Sequence, residues 1–260
     1  MGKIYLVGAG PGAVDLITLR CARLLAKADI VFYDALVGDD IVALAKRAKK
    51  ISVGKRCGKV SIDQRFINRR LVEAAHSHSI VVRLKGGDPM MFGRAHEEIQ
   101  AIREANIAYE IVPGVTAALA AASELGVSLT RRGLSRSVSF FTPRVGVGEE
   151  TGDWVRNLGT TDTAILYMAS QQLDEIIAVL IDKGIPPTRP IVIIENISLP
   201  HARKFFTSIG ELQKGVPWKI TGPAIVMLGE VFSELCARNE YPSESISELN
   251  IAATGGRKTA

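Results

Sequence analysis

Short β-branched runs recur along this chain, separated by stretches of helical periodicity. In the first half the runs are "KIYLVG", "DIVFYD", "KKISVG", "SIVVRLKGGD" and "IAYEIVPG". Amphipathic patterns fill the intervals over about 15–27, 62–76 and 95–104. A βαβ succession of this kind predicts a mostly parallel sheet covered by helices, hence an α/β fold. Six runs end in glycine or a polar residue: "VGAGPG", "FYDALV", "VGKR", "LKGGDP", "VPGVTA" and "YMA". Open α/β sheets bind ligands outside the carboxyl ends of their strands. Any one of these endings reads as an ordinary strand-to-helix turn. Six together predict a cleft assembled from strand ends that lie far apart in the chain.

The second half keeps the alternation more loosely. "SVSFFTP", "TAILYMA", "RPIVIIENIS", "ARKFFTSIG" and "GPAIVMLGEV" read as strands. "QLDEIIAVLIDKG" reads as a helix closed by Gly184, with a short helix near Glu211, and the Gly- and Glu-rich "RVGVGEETGD" reads as a mobile loop. A long Ala-rich helix starting at "PGVTAA" suggests a boundary, with domains over 1–114 and 115–240. The apolar stretch from Ile111 to Ser123, bracketed by Glu110 and Glu124, reads as a buried helix. From about Pro242 periodicity is lost, so 241–260 reads as a disordered tail. No internal repeat stands out, and 260 residues suit one large or two medium domains.

Composition excludes several classes. The three cysteines, Cys21, Cys57 and Cys236, are odd in number and far apart. They suit neither a disulfide framework nor a zinc site, and reduced thiols suit the cytoplasm. The N-terminus lacks a signal peptide, and no apolar run approaches the roughly 18 residues of a membrane span. "HSH" at 76–78 has i, i+2 spacing, which splays the rings apart and reads as a solvated helix end, so no metal is expected. A net charge of +5 favours an anionic ligand. Basic residues are not interleaved with aromatics as single-stranded RNA prefers, so no nucleic acid is expected.

Two stretches carry most of the chemistry. Gly8-x-Gly10-x-x-Ala13 fits a dinucleotide fingerprint, and Asp29 and Asp34 lie near the distance at which that motif wants an acid. Pro11 argues against it. It has no N–H to give a pyrophosphate, fixes its own φ and pushes Gly10 out of the helical region. The loop reads better as a stiff wall of the cleft. In "LKGGDPMMFGR", Gly86 and Gly87 let the backbone approach a ligand closely. Asp88 either accepts hydrogen bonds from an amine or a ribose, or caps a helix. Arg94 adds a guanidinium, with Glu97 and Glu98 close behind.

Taken in order, "LVGAGPG", "ADIVFYDALV", "VGKR", "VVRLKGGDPMMFGR", "VPGVTAALAAASELGVSLTRRGLSRSV", "LYMA", "IENIS" and "GPAIVMLGEV" cover the chain to about residue 235. They resemble the tetrapyrrole methylase family, in the branch acting on uroporphyrinogen III. The resemblance implies two α/β domains with a cofactor and substrate cleft between them, the class III methyltransferase fold. It implies a cytoplasmic homodimer that uses S-adenosylmethionine (SAM) to methylate uroporphyrinogen III at C2 and C7, giving precorrin-2 through precorrin-1. Siroheme, cobalamin or haem d1 would lie downstream. The chain leaves no room for the oxidase and chelatase module fused to some relatives.

Carried over by motif, the resemblance assigns the SAM pocket to Pro11, Gly86, Gly87, Asp88, Met91, Thr116, Ala117, Met168, Ile197 and Ala224. It makes Asp34 a proton acceptor and Lys55 a proton donor. It turns Arg94, Glu97, Arg132 and Tyr167 toward the tetrapyrrole. Arg56 and Arg131 are further cations for a substrate with eight carboxylates. The chain departs from the pattern at Ala13, usually Asp, at Arg131, usually His, and at Ala95 and His96, usually a Gly pair. Rival readings are a later corrin precursor or RNA as substrate, an NAD(P) oxidoreductase, and a non-enzymatic regulator that binds SAM or a tetrapyrrole.

Overall fold

The computed structural model describes residues 1–54, 63–144, 154–215 and 219–238. Lys55, Arg56, the "VGVGEETGD" part of the Gly- and Glu-rich loop and the 241–260 tail lie outside the described residues.

The first half contributes strands β1 (Lys3–Gly8), β2 (Ile30–Tyr33), β3 (Lys49–Ser52), β4 (Ile80–Lys85) and β5 (Tyr109–Val112). Helices α1 (Leu19–Lys27), α2 (Asp39–Ala43), α3 (Gln64–Ser77) and α4 (Ala95–Glu104) lie between them. The strands form one all-parallel sheet in the order β3-β2-β4-β1-β5. Apolar layers cover both faces. Val81 of β4 packs with Leu71, Ile99 and Ile102 from α3 and α4, while Val82 and Leu84 pack with Cys21 and Leu25 from α1. That two-sided burial is why these strands read as continuous apolar runs.

The helix expected over 15–27 is interrupted. Thr18 is extended and its hydroxyl accepts the N–H of Cys21 at 3.1 Å, so α1 starts at Leu19. A single 3-10 turn (Val14–Leu16) precedes it. The 111–123 stretch is not one helix either. Ile111 and Val112 end β5, Pro113 and Gly114 turn the chain, and α5 (Ala117–Leu125) follows. Proline and a close-packed glycine stop the continuity that composition alone suggests.

The second half holds β6 (Val138–Phe141), α6 (Trp154–Gly159), β7 (Thr163–Tyr167), α7 (Leu173–Asp182), β8 (Pro190–Glu195), β9 (Arg203–Ser208), α8 (Ile209–Leu212), β10 (Ala224–Leu228) and α9 (Ser233–Arg238). Its sheet is mixed, in the order β6-β7-β10-β8-β9, with β10 antiparallel to both of its neighbours. Ala118, Ala120 and Ala121 of α5 pack against Ile165, Val192, Ile194 and Met227 on one face. Leu166, Ile193, Val226 and Ile177 form the core on the other. Fully burying each such side chain contributes about 1.5–3 kcal/mol. Among the described residues, no helix is long and apolar enough to cross a membrane.

Candidate active site

Parallel pairing brings the carboxyl ends of β1–β5 to one edge, and glycines let the loops there touch backbone to backbone. A Cβ on Gly8 would stand 2.6 Å from the Cα of Gly114 and 2.7 Å from the carbonyl oxygen of Gly87. Gly10, with φ +73°, exchanges two hydrogen bonds with Gly87, at 2.7 and 3.2 Å. The N–H of Ala9 goes to the Lys85 carbonyl at 2.8 Å, and that of Ala13 to Ser198 Oγ at 3.0 Å. These loop donors are committed to the protein. With Pro11 contributing none, the turn is a wall and not a phosphate cradle.

Asp88 joins two of the strand ends. Its Oδ1 accepts the N–H of Met90 at 2.8 Å and its Oδ2 that of Gly114 at 2.9 Å. It caps no helix, because α4 begins at Ala95 with Arg94 in the cap position. A carboxylate offers about four lone-pair sites, so acceptor capacity remains. Beside it, Gly87 has φ +66°, and a Cβ added there would rest in van der Waals contact with the Thr116 Cα at 3.9 Å.

The second sheet presents its own edge. Tyr167 ends β7, Met168 follows it, and Ile197 follows β8. Because β10 runs antiparallel, its amino end lies with those carboxyl ends: Ala224 pairs with Glu195, and Ile225 with Tyr167. Thr116 Oγ1 and the Tyr167 hydroxyl lie 2.6 Å apart, and Ala118 N–H donates to that hydroxyl at 3.2 Å. The Tyr167 ring packs tilted against Phe92, centroids 5.1 Å apart. Burial raises the Tyr167 pKa, the Asp88 charge adds to this, and the hydrogen bonds from Thr116 and Ala118 oppose it. Phe92, Arg94, Met168, Asn196 and Ser198, all in these loops, adopt φ between +49° and +64°. Left-handed backbone at a non-glycine residue costs about 1–3 kcal/mol and is concentrated at functional sites.

Asp34 lies one residue beyond β2. Its Oδ1 accepts the Gly86 N–H at 3.3 Å, and its Oδ2 faces Arg83 Nη2 at 3.6 Å. Gly54 passes so close that a Cβ there would lie 1.9 Å from Ala35 N, which ties the segment leading to Lys55 against Asp34. Arg94 grips Glu97 with two hydrogen bonds, Nε to Oε1 at 2.6 Å and Nη2 to Oε2 at 2.7 Å. That pairing raises the Arg94 pKa further.

Arg132 is not brought to this edge. Its turn is closed by an Arg131–Ser135 bridge, and Ser135 Oγ lies 2.9 Å from Thr163 Oγ1, at the start of β7. Tyr167 is four residues farther along that strand, a rise of about 13 Å. α5 carries the chain from the cleft edge toward the amino end of β7 before the arginines appear. Arg131 meets Glu234 of α9 at 2.9 Å there, away from the cleft.

Residue-by-residue reading also missed a buried charged cluster: Arg83 and Lys85 of β4 with Glu98 and Gln64. Burial lowers the Lys85 pKa, the Arg83 charge lowers it further, and Glu98 opposes both. The signal was present, since two cations two residues apart in an apolar strand must share one face.

Two sheets, one parallel and one mixed, thus bring strand ends together across strained and glycine-packed loops, the architecture of an α/β protein with a cleft between its sheets. Residues 3–213 match the model of the tetrapyrrole (corrin/porphyrin) methylases. The chain belongs to the tetrapyrrole methylase family. A siroheme synthase of Psychrobacter cryohalolentis is 42% identical over 237 residues, 90% of this chain and 45% of that protein. The chain thus spans about half the length of the curated relatives it matches. The structure of uroporphyrin III C-methyl transferase from Thermus thermophilus is 36% identical with a TM-score of 0.79, covering 90% of this chain and all of that one; a second structure of it holds S-adenosyl homocysteine. A cobalt precorrin-4 methyltransferase is 27% identical with a TM-score of 0.77, covering 88% of this chain and 95% of that one. The fold is the class III methyltransferase fold expected from the motifs.

Proposed function

We propose that this cleft binds SAM and uroporphyrinogen III and methylates the tetrapyrrole at C2 and C7, passing through precorrin-1 to precorrin-2. The observation that carries this reading is the chemistry of the pocket wall. Pro11, Gly86, Gly87, Met91, Thr116, Ala117, Met168, Ile197 and Ala224 are all uncharged, and Asp88 is the one carboxylate among the assigned positions. Such a wall suits a sulfonium and an ammonium and offers nothing to a pyrophosphate.

Bound there, the cofactor supplies an electrophilic methyl group. Gly86–Asp88 and the Met91 backbone hold its polar parts, and Met168, Ile197 and Ala224 keep water from it. Thr116 and Tyr167 brace the wall between the sheets. Asp34 accepts the proton that the macrocycle loses once its ring carbon is quaternary, and Lys55 acts as the proton donor. Arg94, held by Glu97, faces the substrate carboxylates. We place the division between two domains at 114/115, with the second running to 240, take the active form as a homodimer in the cytoplasm, and see siroheme as the nearest downstream product.

Incubation with uroporphyrinogen III and SAM tests this directly. The expected result is a mass gain of two methyl groups with the absorbance of precorrin-2. No gain overturns the reading. Titration of NADH against the same sample should show no binding, and saturable binding would revive the dinucleotide reading.

A further inference from the structure

Arg83 occupies a place where apolar residues are the rule, in a strand covered on both faces. Its side chain is 5% exposed, that of Lys85 4%, and that of Glu98 fully buried. Every nitrogen of its guanidinium has a partner. Nε donates to Glu98 Oε1 at 2.9 Å, Nη1 donates to the Leu84 carbonyl at 3.0 Å, and Nη2 faces Asp34 Oδ2 at 3.6 Å. Glu98 is fixed in turn, its Oε2 by Lys85 Nζ at 3.1 Å and its Oε1 by Gln64 Nε2 at 3.3 Å. Two cations meet two carboxylates, so the cluster is formally neutral. Apolar residues of the same volume are often as stable as a buried ion pair, so the charges call for a reason besides stability. Within the cluster, Asp34 is the member that reaches the cleft, with 24% of its side chain exposed.

We propose that Arg83, anchored by Glu98, is a positioning residue for Asp34: it fixes the direction of that carboxylate at the strand edge. The Gly86 N–H on the other oxygen completes the hold and links Asp34 to the turn assigned to SAM. The inference rests on the reading of function above, in which Asp34 accepts a proton. The planar fork is what the role requires. A lysine at 83 would keep the charge and lose the simultaneous grip on Glu98, Leu84 and Asp34.

A double-mutant cycle tests it, with Arg83→Lys, Asp34→Asn and the pair. Methylation of uroporphyrinogen III is followed with methyl-labelled SAM, and rates are expressed per SAM site counted by calorimetry. Arg83→Lys should lower kcat about tenfold or more, as misdirected catalytic groups do, with SAM affinity unchanged. It should cost nothing further once Asp34→Asn is in place. Equal losses in both backgrounds, or an Asp34→Asn variant as fast as wild type, would overturn the proposal. Should Asp34→Asn leave no measurable rate, the split in Arg83→Lys decides: a raised KM with kcat unchanged overturns it. If Arg83→Lys does not fold, Glu98→Gln keeps the shape and loosens the fork. It should lower kcat in the same direction, and unchanged kcat overturns the proposal. An inactive wild type removes the functional reading and this inference with it, whereas an active wild type with an additive cycle removes the inference alone.

Discussion

The two sheet edges that face the cleft are built on different principles. The first comes from parallel strands, and its loops approach through glycine: Gly8, Gly87 and Gly114 touch backbone to backbone. Its polar groups are tightly paired, from Asp34 with Gly86 to Asp88 with Met90 and Gly114. The second edge mixes strand directions, and its buried Glu195 accepts N–H groups of Thr221, Gly222 and Arg203. Its turns rest on left-handed Met168, Asn196 and Ser198, whereas the first edge combines left-handed Phe92 and Arg94 with close-packed glycines. One edge is thus fixed by backbone contact, which tolerates no added atoms. The other is fixed by side-chain packing, which can adjust.

The largest effect expected from this contrast is at Gly114. An added Cβ would lie 2.2 Å from the carbonyl oxygen of Gly87 and 2.8 Å from the Cα of Gly8, and neither neighbour is a flexible side chain. Gly114→Ala should cost about 3 kcal/mol, the upper part of the range for overpacking, and abolish SAM binding. Denaturant unfolding and calorimetry check it. A midpoint equal to wild type would mean that the edge is softer than its glycines suggest.

Asp88→Ala comes next. It strips the partner from the Met90 and Gly114 N–H groups and removes the one carboxylate assigned to the pocket. Leaving such donors unsatisfied costs about 1–3 kcal/mol. SAM affinity should fall by at least about tenfold, with a smaller loss of stability. Unchanged calorimetric affinity would confine Asp88 to bracing the loops. Tyr167→Phe probes the seam between the edges. It loses the hydroxyl contacts to Thr116 and Ala118 and keeps the ring against Phe92. The expected loss is about 1 kcal/mol, read from denaturant midpoints, with kcat/KM reduced severalfold.

The same contrast explains what could be read from the residues. The parallel half was legible, since strand runs and glycine endings are local signals and parallel pairing alone brings carboxyl ends together. The second edge was legible from that rule only at the end of β7. Ala224 begins its strand, and it reaches the edge because β10 is antiparallel, a pairing no local pattern announces. Only the "YMA" ending, with Met168, was marked by the strand-end rule; Ile197 and Ala224 entered through resemblance to a family and not through their own chemistry. Arg83 and Lys85 were hidden in a strand read as uniformly apolar, because the carboxylates that neutralise them, Glu98 and Asp34, lie 15 and 49 residues from Arg83 in the chain. Arg132 presents the converse case. It is a cation next to motif residues in sequence, and α5 separates it from them in space.

That separation yields the smallest expected effect and sharpens the comparison most. The Arg131–Ser135 turn sits at the start of β7, on the far edge of the second sheet. The Arg131–Glu234 ion pair there is exposed on both sides, 57% and 66%, and such pairs contribute about 0–1 kcal/mol. Arg132→Ala should therefore leave kcat/KM for uroporphyrinogen III within about twofold of wild type, where a surface arginine on an unrelated edge belongs. Steady-state rates across substrate concentrations measure it. A rise in KM of about tenfold would put this arginine against substrate carboxylates after all. Because its turn lies by the start of β7 and Tyr167 at the end of that strand, such a result would assign it to the cleft of a second copy. A dimer that dissociates on dilution with parallel loss of the KM effect would then confirm that the two edges of one sheet serve two different active sites.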